Sequence, residues 1–506
     1  MEPLEIAVTL GGLVAAALAG VRWLRVAQRE HYAPGSVTRF AGRWWGRDPN
    51  WILAAQIVLC VLFSPVILPL GISAALGVAV GPLGLGLRGR TSKLAWTRRM
   101  RTLAGAWALL HVLVLSLGLE FGLAPFISVL AAALTPVLVD WALFLTAPLE
   151  RRMVQPFVER AAARLKQVHP TVVAITGSYG KTSTKGYVAH LLEATRSVVA
   201  TPASFNNRAG LARAVNEQLL PGTEVFVAEM GTYGKGEIAE LCAWCRPEIA
   251  VITAIGPVHL ERMGSEEAIV EAKAEILEGA RVAVLNVDHP LLASLAVRRA
   301  ETGQKVVRCS ATATATGSGV SVVGDEVRVS GRLVARLVDS DAPPTNVACA
   351  VAVALELGVA EDIIAARLAS LPTARHRLSV TTGSSGAVVV DDTYNANPAG
   401  AARALTVLAA HSSSEGKRVV VTPGMVELGR RQYGENASFA AAAAATASHV
   451  VVVGATNRRA LLAGAAQGPA QVVVMGKRDQ AVAWVREHVG DGDAVLYEND
   501  LPDHFP

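Results

Sequence analysis

The chain has 506 residues, of which only 18% are charged, with a formal net charge of +5 and a mean hydropathy of +0.37. That length allows about three domains, and so few charges beside so much apolar sequence argue against a wholly soluble enzyme. Five cysteines are scattered at 60, 242, 245, 309 and 349; the pair Cys242-Ala-Trp-Cys245 has no second CxxC or histidine pair to complete a zinc site, so reduced structural thiols are expected.

In chain order, the apolar sequence comes first. Ile6 to Leu24 is one long run. Ile52 to Leu87 contains no charged residue; at about 1.5 Å per helical residue it is nearly twice one bilayer crossing, so two helices are expected with a reversal near Pro69 and Gly71. Leu103 to Thr146, broken near Glu120 and Gly122, reads as a second pair. Five transmembrane helices are therefore expected in residues 1–150. Glu2 and Glu5 stand where a cleavable signal peptide carries basic residues, so the helices are expected to be retained.

The two intervening loops carry Arg25, Arg29, Arg39, Arg43 and Arg47, then Arg88, Arg90, Lys93, Arg98, Arg99 and Arg101. The positive-inside rule places both in the cytoplasm; five crossings then put the N-terminus outside and everything after Arg151 inside, in a multi-pass protein of the plasma membrane. The net charge follows from these loops and implies contact with membrane lipids, not a nucleic-acid partner. Asp140 is the only acid well inside a span and is expected to face a neighbouring helix.

After a basic helical connector, Arg151 to Gln167, short β-branched runs alternate with helical segments, the pattern of a parallel α/β sheet. Strands are expected at Thr171–Ile175, Glu224–Ala228, Ile249–Ile255 and Arg281–Leu285, then at Ala387–Val390, Arg418–Val421, Val450–Val453, Gln471–Val474 and Ala494–Tyr497. Two α/β units are implied. Gly319 to Leu337 alternates valines with polar residues and suggests an antiparallel hairpin on the first unit. The alanine run 440–447 fits a helix.

The first strand runs into Thr176-Gly177-Ser178-Tyr179-Gly180-Lys181-Thr182-Ser183, followed by a helix. Glycines let backbone N–H groups approach phosphate oxygens, the helix N-terminus favours negative charge, Lys181 can reach β and γ phosphates, and Thr182 can ligate Mg²⁺. The spacing, GxxGKT, is shorter than the usual GxxxxGKT.

Downstream stand Ser204-Phe205-Asn206-Asn207, Glu229-Met230-Gly231, Gly236-Glu237-Ile238, His259-Leu260-Glu261, Ala272-Lys273-Ala274-Glu275, Leu285-Asn286-Val287-Asp288, Asn346, His376-Arg377-Leu378, Asp391-Asp392-Thr393-Tyr394-Asn395-Ala396-Asn397-Pro398 and Gly424-Met425-Val426-Glu427-Leu428-Gly429. In this order, over nearly all of residues 170 to 500, the chain resembles the Mur ligase family, specifically its MurF-type members, which join D-alanyl-D-alanine to a UDP-linked muramoyl tripeptide. The resemblance implies an ATP-binding central domain at 151–375 and a Rossmann-like C-terminal domain at 376–506.

It also implies an ATP-dependent carboxylate-amine ligase working through an acyl phosphate. ATP would be held by Gly177, Ser178, Gly180, Lys181, Thr182, Ser183, Asn286, Asn346 and Asp392, and two Mg²⁺ ions by Thr182, Glu229, His259 and a carbamylated Lys273. Lys181, Lys273, His259 and Arg377 would be the catalytic group, and Asn206, Asn207, Tyr394, Asn395, Asn397 and Glu427 would meet the substrates.

The departures are also informative. Membrane helices stand where the family carries a soluble domain that grips UDP, so the acceptor is either a soluble muramoyl peptide or a lipid-linked one. Thr422-Pro423-Gly424-Met425 stands where the family usually has Gly-Asp-Met, and Tyr497-Glu498-Asn499-Asp500 replaces a Lys-Gly-Ser-Arg-like segment. These departures leave open an incoming amino acid or dipeptide amine other than the family's; Glu498, Asp500 and Asp503 form either an amine-receiving cluster or a solvated tail. Two rival readings are a membrane-anchored synthetase of poly-γ-glutamate type, disfavoured by the Asn-Ala-Asn-Pro and Glu-Leu-Gly matches, and a non-catalytic scaffold, disfavoured because Lys181, Glu229, His259 and Lys273 are all present.

Overall fold

The computed structural model describes residues 2–88, 93–202, 205–258, 260–312, 319–337, 342–372, 378–393, 396–411, 416–502 and 504–505. It divides into two compact units: Met1–Met153 with Gly454–Thr456 and Leu501–Pro506, and Val154–Val453 with Asn457–Asp500.

The first unit is helical: α1 (Pro3–Arg29), α2 (Ser36–Trp45), α3 (Asn50–Phe63), α4 (Pro69–Val80), α5 (Arg98–Glu120), α6 (Ala124–Ala133) and α7 (Thr135–Val168), the last running on into the second unit. Small residues let these helices approach closely. A Cβ on Gly12 would overlap Ser128 of α6, one on Gly71 would overlap Val8 of α1, and one on Gly118 would overlap Ile127. Ile6, Leu10 and Val14 of α1, and Leu109, Val112, Leu113 and Leu117 of α5, point outward and are exposed, as on lipid-facing helices.

Among the described residues, only α1, with 27 residues, and α5, with 23, are long and apolar enough to cross a bilayer; a third segment qualifies if α6 and α7, bent by 76° at their junction, count as one. The uncharged run expected to give two full spans gives α3 and α4, of 14 and 12 residues, about 21 and 18 Å against a hydrocarbon core of about 30 Å. Pro65 follows the last residues of α3, and Pro69, with φ fixed for a first helical turn, starts α4. The reversal therefore lies at residues 64–68, slightly before the expected place, and Gly71 is a packing glycine inside α4.

Asp140, the acid expected to face a neighbouring helix, caps one. Its Oδ1 accepts from the backbone N–H of Gly35 at 2.9 Å and of Val37 at 3.3 Å, and its Oδ2 from Thr38 at 2.7 Å, at the N-terminus of α2. Residues 504–505 pack into the same unit: His504 Nε2 lies 3.0 Å from Glu30 Oε1, Trp44 Nε1 donates to the His504 carbonyl at 2.8 Å, and Phe505 packs edge-on against Phe40.

The second unit holds two sheets. The first comprises β1 (Thr171–Thr176), β2 (Val198–Ala200), β3 (Val225–Glu229), β4 (Ile249–Ile252), β5 (Val282–Asn286), β6 (Lys305–Ser310), β7 (Gly319–Val323), β8 (Glu326–Val329) and β9 (Arg332–Arg336), in spatial order 2-3-1-4-5-6-7-8-9. Strands β1 to β7 are parallel, and β7 to β9 form an antiparallel meander of three strands where a hairpin was expected.

Alternate residues feed two cores. Val172, Ala174, Phe226, Ala228, Ala250 and Ile252 pack with the helices Arg208–Gln218 and Glu237–Cys245 and with the end of α7, whereas Val173, Ile175, Val225, Val227, Ile249 and Val251 pack with Lys181–Leu192 and Pro344–Glu356.

The second sheet comprises β10 (Ser379–Thr382), β11 (Val388–Asp392), β12 (Arg418–Thr422), β13 (His449–Val453), β14 (Gln471–Met475) and β15 (Ala494–Glu498), in order 10-11-15-12-13-14 and parallel except for the edge strand β10. The alanine run lies in the helix Gln432–Thr446, packed on this sheet.

Candidate active site

In the first sheet β1 lies between β3 and β4, although β2 and β3 intervene in sequence, so the chain reverses its direction of winding beside β1. Open parallel sheets bind ligands in the crevice beyond the strand ends at such a point. The glycine loop, Glu229 and Thr253 all lie there.

Loop conformation demands the two glycines. Gly177 has φ +155°, and a Cβ on it would strike Thr253 Oγ1; Gly180 has φ +78°, and a Cβ would strike Asn346 Oδ1. The Ser178 N–H donates to the Ala254 carbonyl at 2.7 Å, and Ser178 Oγ to the Gly256 carbonyl at 3.3 Å, pinning the loop to the segment after β4. Lys181 opens the following helix and folds back over the loop, its Nζ donating to the Gly177 carbonyl at 2.7 Å. Thr253, Tyr179 and Gly256 complete the loop's bed. Sequence reasoning missed Thr253; its place one residue beyond a predicted strand was the available signal.

Glu229 ends β3, 1% exposed, and is held from four directions. Thr182 Oγ1 donates to Oε2 at 3.0 Å, Lys185 Nζ to the same oxygen at 3.0 Å, and Asn206 Nδ2 to Oε1 at 3.2 Å, while the Glu229 N–H donates to Thr201 Oγ1 at 3.1 Å. The pairing of Thr182 with Glu229 joins two of the expected metal ligands. Asn206, expected to meet substrate, donates to this carboxylate. Lys185 was not singled out in the sequence, although its place one helical turn after Lys181 puts it on the same face.

Lys273 lies near the end of the helix Glu266–Ala274, whose N-terminus Ser265 caps. It is 3% exposed, and burial together with the nearby Lys181 charge pushes its pKa well below the usual ammonium range, which favours a neutral, nucleophilic amine. The hydroxyl and carboxylate oxygens of Thr182 and Glu229 are hard donors that suit Mg²⁺, and an uncharged Lys273 amine suits carbamylation. Among the described residues no group of three or more His, Cys, Asp or Glu forms a ready metal site. His259, Arg377, Tyr394 and Asn395 lie outside the described residues.

Of the remaining expected residues, Asn346 lies under Gly180, and Asn286 ends β5 with its Oδ1 accepting from the Asp288 N–H at 3.1 Å. Ser183 is buried in the first turn after the loop. Asn207 and Asn397 cap helices, accepting from Gly210 and Gly400 N–H at 2.9 Å each. Glu427, at φ +64°, pairs with Arg262 at 3.5 Å, and Arg431 pairs with Glu266 at 2.7 Å, so the segment after β12 is bound to the segment that follows residue 259.

At the carboxyl end of the second sheet, Asp392 and Glu498 are register partners on β11 and β15. Glu498 is fully buried. Its Oε2 accepts from Thr422 Oγ1, its Oε1 has no hydrogen-bond partner among the described residues, and burial, with the Asp392 charge adding to it, raises its pKa to about 8. Asn499 Nδ2 donates to the Gly424 carbonyl at 2.7 Å. The two departures from the family pattern therefore touch at both Thr422–Glu498 and Gly424–Asn499 and form one structure. Asp500 pairs with Arg478, so neither a solvated tail nor an open acidic cluster describes these residues; Asp503 lies outside the described residues. Burial raises Cys242 to about 12 and Cys245 higher still, as expected for inert structural thiols.

A glycine loop between strand and helix at the switch point of a parallel sheet, faced by a lysine and paired oxygen ligands, defines a nucleotide-phosphate-binding α/β protein. Residues 175–335 match the Mur ligase middle domain and residues 376–497 the Mur ligase, glutamate ligase domain. The UDP-N-acetylmuramoyl-tripeptide--D-alanyl-D-alanine ligase of Mycobacterium tuberculosis is 35% identical over 371 residues, covering 66% of this chain and 71% of that protein. The Bacillus subtilis ligase of the same name is 31% identical over 283 residues, 53% of this chain and 59% of its own. The MurF ligase of Thermotoga maritima in complex with ADP matches with a TM-score of 0.57 and 27% identity, over 69% of this chain and 80% of its own. The chain belongs to the Mur ligase family and is an ATP-dependent ligase. Both domain matches begin after α7 and leave helices α1 to α7 outside them.

Proposed function

We propose that this ligase joins an amine, D-alanyl-D-alanine or one like it, to the carboxylate of a muramoyl-peptide precursor in peptidoglycan biosynthesis, from the cytoplasmic face of the membrane. The observation that carries the reading is the strand-end grouping of Thr182 and Glu229, 3.0 Å apart beside the glycine loop, with Lys273 buried near Lys181. ATP with Mg²⁺ supplies the phosphoryl group that activates the carboxylate as an acyl phosphate. Gly177, Ser178, Gly180 and Ser183 would line the phosphates, Lys181 would offset their charge, and Asn286, Asn346 and Asp392 would line the rest of the nucleotide.

Thr182 and Glu229 would hold one Mg²⁺, with His259 and a Lys273 carbamate serving a second. An ammonium cannot ligate a cation. A neutral Lys273 amine adds to CO₂ and releases a proton, giving a carboxylate-like ligand in its place. Arg377, Tyr394, Asn395, Asn397, Asn206, Asn207 and Glu427 are left as the substrate-side group, of which Asn206 is better read as a support for Glu229.

The proposed membrane placement is compatible with the smaller number of long helices. With α1, α5 and the bent α6–α7 pair as three crossings, and α3 and α4 as a pair that returns to the side it entered, both arginine-rich loops stay on one side. The number of crossings remains odd, so residues from 154 onward fall in the cytoplasm and the N-terminus outside. The outward apolar faces of α1 and α5 favour a second reading in which the acceptor is lipid-linked.

Phosphate release from ATP by the purified full-length protein decides between the acceptors. It is measured with UDP-muramoyl tripeptide or its lipid-linked counterpart, each with D-alanyl-D-alanine, and with Lys273→Ala as control. Release with either acceptor, lost in the control, supports the ligase reading and selects the substrate; silence with both contradicts it.

A further inference from the structure

Glu229 is a carboxylate proposed to take a doubly charged ion, yet a side chain of this chain already neutralises it. Lys185 places its ammonium 3.0 Å from Oε2, with side-chain exposures of 7% and 2% for the pair. Thr182 shares that oxygen, and Asn206 holds the other. The geometry is fixed by the fold: Lys185 lies one turn along the helix Lys181–Leu192, whose start is set by Gly180, and Glu229 ends the strand paired in register with Ile175. An unpaired buried carboxylate is strongly destabilising, so the lysine gives the acid a partner wherever no metal is bound.

We infer that Lys185 is an internal counter-cation that competes with the divalent metal for Glu229 Oε2, so that metal entry requires the ammonium to leave that oxygen. This rests on the reading of Glu229 as a metal ligand given above. A single positive charge and a dication cannot both approach one oxygen in a buried site without strong repulsion. The fork of carboxylate, hydroxyl and ammonium therefore sets the metal affinity, and not only its position. A displaced ammonium finds its natural partner in phosphate oxygens at the adjacent loop, which links metal entry to nucleotide entry.

The test measures Mn²⁺ binding directly, by the electron paramagnetic resonance signal of the free ion, on detergent-solubilised full-length protein. Mn²⁺ serves as the probe because it takes the same hard oxygen ligands as Mg²⁺. Lys185→Met keeps the stem and removes the charge; its Kd should fall roughly tenfold, the order expected from deleting one like charge beside the ion. Lys185→Arg keeps the charge and offers the carboxylate a two-pronged partner, so its Kd should rise several-fold. Should Lys185→Met fail to fold, the arginine variant alone decides by its direction. An unchanged or weaker affinity in Lys185→Met, or an unchanged or tighter one in Lys185→Arg, overturns the inference. Glu229→Gln separates this from the reading beneath it: loss of Mn²⁺ binding there keeps Glu229 as the ligand, while unchanged binding removes both.

Discussion

The two sheets of the second unit each end a parallel strand in a buried glutamate, and the two glutamates have opposite surroundings. Glu229, at the end of β3, meets an ammonium, a hydroxyl and an amide, which together satisfy both oxygens. Glu498, at the end of β15, meets one hydroxyl and a neighbouring carboxylate, and among the described residues one of its oxygens has no partner. Burial alone therefore does not fix the surroundings of a strand-end acid; the partners do. The first sheet groups its acid with an ammonium and a hydroxyl beside the glycine loop, whereas the second holds an acid whose pKa burial raises to about 8.

The largest effect expected from breaking this contrast is at Glu229 itself. Glu229→Gln keeps the shape and loses the charge, and steady-state phosphate release should fall by roughly 10²–10³-fold, in line with losing a principal electrostatic contact in a phosphoryl-transfer site. A rate within a few-fold of the parent would deny the carboxylate its role.

Next comes the loop that faces it. In Gly180→Ala the new methyl meets Asn346 at a positive φ, and nucleotide affinity, read by ADP titration, should weaken by roughly 10-fold or more, since the added strain is about 1–2 kcal/mol.

The smallest effect is expected at Glu498. A carboxyl held above its unfolded value, about 4.3, contributes stability that is full at low pH and is lost as pH rises through about 8. Glu498→Gln removes that slope. Relative to the variant, the parent should be at its most stable below about pH 4 and should lose that advantage progressively up to about pH 8, above which the two curves run parallel, a change of a few degrees in thermal midpoint. Parallel pH curves for the two proteins would show that the acid is not protonated in the fold.

The α/β part was legible in the sequence because its signals are local. Nine runs of β-branched residues became strands within a residue or a few of the expected limits, and the GxxGKT loop could only follow one of them. Three strands escaped for physical reasons: Val198–Ala200 and Ser379–Thr382 are short edge strands, and Lys305–Ser310 carries charges that disguise its alternation. The helical unit was harder to read. Absence of charge from 52 to 87 predicts an apolar environment, yet helix length is set by Pro65 and Pro69, and these divide the run into two halves each too short to span.

Residue type and order singled out Lys181, Thr182, Glu229 and Lys273, but contacts between distant segments were invisible. Nothing in the spacing of Lys185 and Glu229, 44 residues apart, announces their ion pair. Likewise, the departures at 422–424 and 498–499 read as two separate anomalies until parallel pairing of β12 with β15 brings them together. Asn207 and Asn397 match substrate motifs in sequence and serve as helix caps in the fold.

The raised pKa of Glu498 is open to direct observation by infrared spectroscopy of the full-length protein at pH 7, following the carbonyl stretch of a protonated carboxylic acid. A band present in the parent should disappear in Glu498→Gln. No band lost in Glu498→Gln would contradict the protonated acid at the end of β15.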